Sequence, residues 1–258
     1  MIAIGTSGYR YADWKGTFYP ADLPENQQLA YYAERFRTVE LNFTYYRMPN
    51  ARTIESMVRR TPEAFTFWVK ANEATTHQQD PVVAAPFNEA LAPAREARRL
   101  AGILFQFPYS FRNTERNRAW LARLPDDFPH DPLVVEFRNA AWANEAVYAF
   151  LRSRKLGFCC VDEPDLKGLM PRVAVATSPV AYVRFHSRDA SKWYEGGGKE
   201  RYNYLYSREE LEEWVPKVRE LSNDAESVYI FFNNCHAGSA AVNAEDFKQL
   251  LAEIGVIG

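Results

Sequence analysis

A chain of 258 residues, 47% hydrophobic and 25% charged, has the composition of a globular protein able to bury a sizeable core. Its formal net charge of -2, with acids and bases mixed along the chain, provides no field for non-specific DNA binding or for attraction to an anionic membrane. No apolar run approaches a membrane span, and the odd cysteine count (Cys159, Cys160, Cys235) argues against a disulfide framework or a cysteine-rich zinc site, so the chain reads as cytoplasmic.

In chain order, residues 2–6 (IAIGT) predict a first strand, entered directly from the N-terminus, with a helical period following over 25–36. The second strand is expected over 37–43 (RTVELNF), where Val39, Leu41 and Phe43 alternate with Glu40 and Asn42, and a helix over 51–61 follows it. The same unit repeats: strand 64–71 (AFTFWVKA) with helix 86–100, strand 101–107 (GILFQFP) with helix 115–124, and strand 132–138 (PLVVEFR) with helix 144–155. A sixth strand over 157–162 (GFCCVD) leads into EPDLKGLMPRVAVATS, a poor helix. Strand 180–187 (VAYVRFHS) precedes a helix over 207–222, and strand 227–234 (SVYIFFNN) precedes one over 244–255.

Strands alternating with helices imply parallel pairing through right-handed crossovers. Eight such units, with no linker, repeat or low-complexity tract between them, predict a single α/β domain over 1–258 folded as a (β/α)8 TIM-like barrel. The competing architecture is an open doubly wound sheet. Its dinucleotide fingerprint is missing, because GTSGYRYADW after the first strand lacks the third glycine and the helix start.

In a barrel, chemistry collects at the carboxyl ends of the strands. Here those ends carry Glu40 and Asn42, Lys70, Gln106, Glu136 and Arg138, Asp162, Arg184 and His186, and Asn233 or Asn234. E-x-N, E-x-R and R-x-H each put two polar groups on one face, while Val39, Leu41, Val135, Phe137, Val183 and Phe185 occupy the other. The apolar face suits a helix layer, so the polar face belongs inside, with Tyr45, Tyr46 and Arg47 in the loop just beyond the second strand.

The segments GTSGYRYADWKGTFYP, LAYYAERFRTVELNFTYYRMP, FTFWVKA, ILFQFP, VVEFRNAAW, AYVRFHS and FFNNCHAGSAAVNA, in that order, resemble the YecE-like family, domain of unknown function number 72. The resemblance runs from Gly5 to near Leu251 and implies a TIM-barrel-like fold without supplying an activity. Its motif positions carry over to Tyr9, Glu40, Asn42, Tyr46, Lys70, Gln106, Glu136, Arg138, Arg184, His186 and Asn233, though their roles do not. Ser187 stands where family members often have glycine, which puts the conformation of the following loop in question.

Three carboxylates (Glu40, Glu136, Asp162) nearly balance three cations (Lys70, Arg138, Arg184), which favours an anion site with acid/base chemistry. The expected reaction is a hydrolysis or isomerisation of a small anionic substrate carrying a phosphate or sugar. Glu40 and Glu136 would exchange protons, Glu40 raised by aromatic neighbours, with His186 titrating near neutrality as assistant. Tyr9, Asn42, Tyr46, Lys70, Gln106, Arg138, Arg184 and Asn233 would bind substrate, with Arg188, Lys192, Lys199 and the glycines Gly196–Gly198 in a closing loop and Gly238 and Ser239 at a helix start. No cofactor or metal is expected. One alternative is a metal-dependent phosphodiesterase using a divalent ion on Glu40, Glu136, Asp162 and His186. Another is a non-catalytic nucleotide or single-stranded nucleic-acid binder using the aromatic rim, and a third is that the charge pairs are purely structural.

Overall fold

Each of the eight period-two runs forms a strand in the computed structural model, which describes residues 1–195 and 198–257. They are β1 (Ile2–Thr6), β2 (Thr38–Leu41), β3 (Thr66–Lys70), β4 (Leu100–Gln106), β5 (Leu133–Glu136), β6 (Leu156–Asp162), β7 (Val180–Phe185) and β8 (Ser227–Phe232). All pairings are parallel, in the order β1-β8-β7-β6-β5-β4-β3-β2. The two ends of that order meet just beyond β1, where Ser7 bridges to Glu40 and the Gly8 N–H donates to the Glu40 carbonyl at 2.7 Å. The sheet is thus a nearly closed barrel with helices between its strands, a single TIM-like (β/α)8 domain.

Side-chain alternation sorts residues between two layers. Outside, Phe185 packs on Trp214 and Phe247, and Phe137 stacks on Trp142 at 4.3 Å. Inside, at the amino end, Trp68 meets Tyr182 and Tyr229 edge to face at 4.7 and 5.3 Å. Gly102 makes room for that indole, since a Cβ there would lie 2.4 Å from it. This aromatic floor fills the lower barrel beneath the charged groups at the carboxyl ends.

Three differences from the sequence expectation have local causes. The helix anticipated over 207–222 is two, Arg208–Glu212 and Val215–Asp224, because Pro216 lacks the N–H that a continuous helix would use and fits only in a first turn. Asn42 and Phe43 leave β2, and Phe43–Tyr46 form a one-turn helix where a loop was expected. Gly196 and Gly197 of the expected closing loop, and the Lys199 side chain, lie outside the described residues. Among the described residues no helix is long and apolar enough to cross a membrane, and Cys159, Cys160 and Cys235 are free and buried.

The seam between β1 and β2 depends on Gly5, where an added Cβ would sit 2.3 Å from the Thr38 carbonyl oxygen. Gly5→Ala is expected to destabilise the protein by roughly 1–3 kcal/mol, because backbone rather than a flexible side chain must yield. Denaturant unfolding of the two proteins checks this; an unchanged midpoint would contradict the close approach.

Candidate functional site

Every strand sends a polar side chain to the carboxyl end of the barrel interior. The floor of the cluster is the Arg184 guanidinium, whose Nη1 donates to Glu136 Oε2 at 2.5 Å and whose Nη2 donates to Glu40 Oε1 at 2.7 Å and to Ser7 Oγ at 3.2 Å. Glu40 accepts a second bond, from the Tyr182 hydroxyl, at 2.7 Å. Glu40, Glu136, Arg184, His186 and Ser7 are all buried. Taking these charges out of water is tolerable only because each carboxylate oxygen faces a donor or cation.

Glu136 is the hub. Its other oxygen, Oε1, lies 2.7 Å from Arg138 Nη2 and 3.2 Å from His186 Nε2, although neither contact is aligned as a full hydrogen bond. Burial alone would raise this carboxyl, but Arg138 and Arg184 overcome it and hold Glu136 well below the usual carboxylate range. His186 behaves oppositely: burial first, then Arg138, pushes it down to about 3. With Asn233 Nδ2 donating to His186 Nδ1 at 3.0 Å, the proton of the neutral ring sits on Nε2, facing Glu136. The expectation that His186 titrates near neutrality is therefore corrected, because a cation beside two arginines inside the barrel is too costly.

Above this floor lie Arg138 and Lys70, both half-buried, and Glu163, which is buried. Arg138 reaches from Glu136 to Glu163 Oε2, at 3.2 Å, and lies 6.0 Å from the Trp193 ring centre. Lys70 Nζ donates to Gln106 Oε1 at 2.8 Å and sits over the Tyr45 ring at 4.2 Å. Burial, reinforced by Arg184, lowers Lys70 to about 7. Glu163 moves the other way: burial outweighs Arg138 and raises it to about 7. Its Oε1 accepts from the Met170 N–H at 2.8 Å, which anchors the irregular segment after β6.

Glu163 was missed by reasoning from sequence, and Asp162 was chosen in its place. Cys159 Sγ points at Glu136, so alternation along β6 turns Cys159 and Glu163 inward and Asp162 outward. Asp162 is held in the helix layer by Arg188 at 2.7 Å, the Tyr206 hydroxyl at 2.9 Å and Trp214 Nε1 at 2.7 Å.

Other expected positions divide. Arg188 is held by Asp162, on the outward side of β6, and by Glu213 at 3.0 Å, apart from the interior cluster. Tyr9 turns its ring toward Tyr32, at 6.2 Å, with Arg60 beside its hydroxyl, which makes it part of the wall rather than of the cluster. Tyr46 stands 78% exposed on its one-turn helix, against Tyr45. Asn42 is half-buried at the start of that helix and its Oδ1 has no partner. Glu40 has one aromatic partner, the Tyr182 hydroxyl, and shares its other oxygen with Arg184. Asn234 is structural, bonding Asn243 and the Tyr204 carbonyl.

The metal-ion alternative does not fit these residues. Glu40 and Glu136 have a guanidinium between them, Asp162 faces the opposite layer, and no group of three or more His, Cys, Asp or Glu is placed to hold an ion among the described residues.

Comparison with known proteins places these features in a family. Residues 3–256 match the family model described as Protein of unknown function DUF72, and the chain belongs to that family. It is 33% identical to the UPF0759 protein YunF of Bacillus subtilis, over 97% of this chain and 95% of that protein. A DUF72 family crystal structure from Thermotoga maritima superposes with a TM-score of 0.91 at 42% identity, covering 98% of this chain and 99% of that one. Another from Enterococcus faecalis gives 0.87 at 27% identity, covering 98% and 96%.

Two outcomes follow from this geometry. Arg184→Met strands two buried carboxylates and is expected to cost about 3–5 kcal/mol in chemical denaturation, whereas a loss under 1 kcal/mol would contradict the shared pairing. Glu163 binds its proton more tightly when folded than unfolded, so its contribution to stability is full below about 4.5 and is lost as pH rises to about 7. Relative to Glu163→Gln, the wild type should lose stability across that window; a constant difference in melting temperature would contradict the raised carboxyl.

Proposed function

We propose that this protein is an enzyme carrying out acid/base chemistry, an isomerisation or hydrolysis, on a small anionic substrate at the carboxyl end of the barrel. The observation that carries this reading is the layered arrangement, a neutralised and buried floor beneath a layer with two proton carriers of opposite type, a buried carboxyl on Glu163 and a half-buried amine on Lys70. Arg138 is the anion anchor, since it is half-buried at the rim and its planar fork matches a carboxylate or phosphate. Glu163 and Lys70 both lie near 7, where a group can give and take protons at ordinary pH. Glu40, Glu136 and His186 then act by holding Arg184 and Arg138 in place, a revision of the roles expected for them. Gln106 and Asn233 fix Lys70 and His186.

A screen of phosphorylated sugars and sugar acids, followed by proton and phosphorus NMR, tests this reading. One compound should be converted, with kcat/KM rising and falling about pH 7, and Glu163→Gln should lose on the order of 100-fold or more. A ligand that binds but returns unchanged at every pH would contradict it and favour binding alone.

A further inference from the structure

Apart from the charged cluster, an open cavity of about 200 Å³ lies between residues 76–79, which follow β3, and residues 108–117, which follow β4. Its polar lining divides into a saturated frame and a free set. In the frame, the Thr76 hydroxyl bonds His77 Nδ1 at 2.9 Å, His77 Nε2 bonds the Tyr45 hydroxyl at 3.2 Å, and Asn117 Nδ2 donates to the Arg112 carbonyl at 2.8 Å. Gln79 is tied to this frame at one end only. Its Nε2 donates to Asn117 Oδ1 at 3.0 Å, which leaves Oε1 as an oriented acceptor. The Ser110 hydroxyl and the Arg116 guanidinium also line the cavity, and among the described residues neither has a hydrogen-bond or ion-pair partner. Arg116 differs in this from others on its helix, Glu115–Asp127, where Arg118 donates to Asn113 Oδ1 at 2.6 Å and Arg123 to Asp127 Oδ2 at 2.8 Å. No carboxylate lines the cavity. Its apolar wall is Phe111, fixed by stacking on Phe107 at 4.1 Å and on Trp142 at 5.4 Å.

From this arrangement we infer that the cavity is a binding site for a small hydroxylated phosphate ester, separate from the cluster around Arg138 and Arg184. Donors from two positions, the planar fork of Arg116 and the Ser110 hydroxyl, suit a tetrahedral anion with oxygens in several directions. A planar carboxylate would be satisfied by the fork alone. Gln79 Oε1 then accepts from a hydroxyl of the ligand, and the Phe111 ring covers the carbon chain between the two ends. The volume is that of about seven waters, below the range of ordinary ligand pockets, so the ligand is a phosphorylated compound of a few carbons or the equivalent end of a larger one. Binding here needs none of the groups assigned to acid/base chemistry above, none of which lines the cavity.

Saturation-transfer NMR titrations of the intact protein test this, with glycerol 3-phosphate, glycerate and glycerol as probes. Glycerol 3-phosphate should bind saturably and more tightly than the other two. Arg116→Gln should weaken it by about tenfold or more, since a hydrogen bond to a charged group is lost. Arg116 is exposed, so this replacement leaves folding intact. Arg118→Gln removes the same charge from the same helix and should leave binding unchanged, as should Arg138→Met. Gln79→Ala should narrow the preference for glycerol 3-phosphate over inorganic phosphate. Absence of saturable binding to the wild type would overturn the inference, and so would equal effects of Arg116→Gln and Arg118→Gln. Binding lost in Arg138→Met but kept in Arg116→Gln would put the anion in the charged cluster and overturn the separate site. Glycerate bound as tightly as glycerol 3-phosphate would overturn phosphate as the group recognised.

Discussion

One guanidinium shared between two buried carboxylates organises this barrel. Arg184 is on β7, Glu136 on β5 and Glu40 on β2, so the pair of contacts spans the interior and joins segments 48 and 144 residues apart in sequence. Two anions around one cation leave a surplus negative charge, which Arg138 offsets from the other side of Glu136. The Tyr182 hydroxyl donates to Glu40 Oε2 and Ser7 Oγ accepts from Arg184 Nη2, while the buried Arg184 Nε has no partner among the described residues. Such an arrangement is costly to dehydrate and is seldom the most stable way to fill a core, so its presence points to a demand beyond stability.

The consequences spread upward to the rim. Because Glu136 is already ionised and doubly paired, Glu163 competes poorly for Arg138 and remains hard to ionise in its buried position. Lys70, removed from water by burial, near two fixed cations and with no carboxylate paired to it among the described residues, is hard to protonate. Burial, modulated by this fixed charge pattern, thus brings a carboxyl and an amine from values normally about six units apart to about the same pH. The neutral His186, held by Asn233, adds a dipole without adding charge.

Much of this was legible in the sequence, and what was not has physical causes. Period-two alternation located all eight strands, and the E-x-R and R-x-H pairs identified Glu136, Arg138, Arg184 and His186 as interior because Val135, Phe137, Val183 and Phe185 claimed the other face. The proton affinities were not legible, because they depend on which groups from distant strands touch. Nothing in the R-x-H pair itself marks His186 as other than an ordinary imidazole; complete burial, and then Arg138 from another strand, lower it. At β6 the error was one of phase: Gly157, Phe158, Cys159 and Cys160 are small or apolar on both faces, so no polar alternation marked Glu163 as inward and Asp162 as outward. Asp162 is decided instead by Trp214 and Tyr206, residues more than forty positions downstream.

The central claim is that the fixed Glu40–Arg184–Glu136 core leaves Glu163 poised near neutrality. Difference infrared spectra of wild type against Glu163→Gln, recorded from pH 5 to 9, observe that carboxyl directly through its protonated C=O stretch. The account predicts that this band is present at pH 5 and disappears with a midpoint near 7. A midpoint near the ordinary carboxyl value of about 4.3, leaving no band at pH 6, would contradict it.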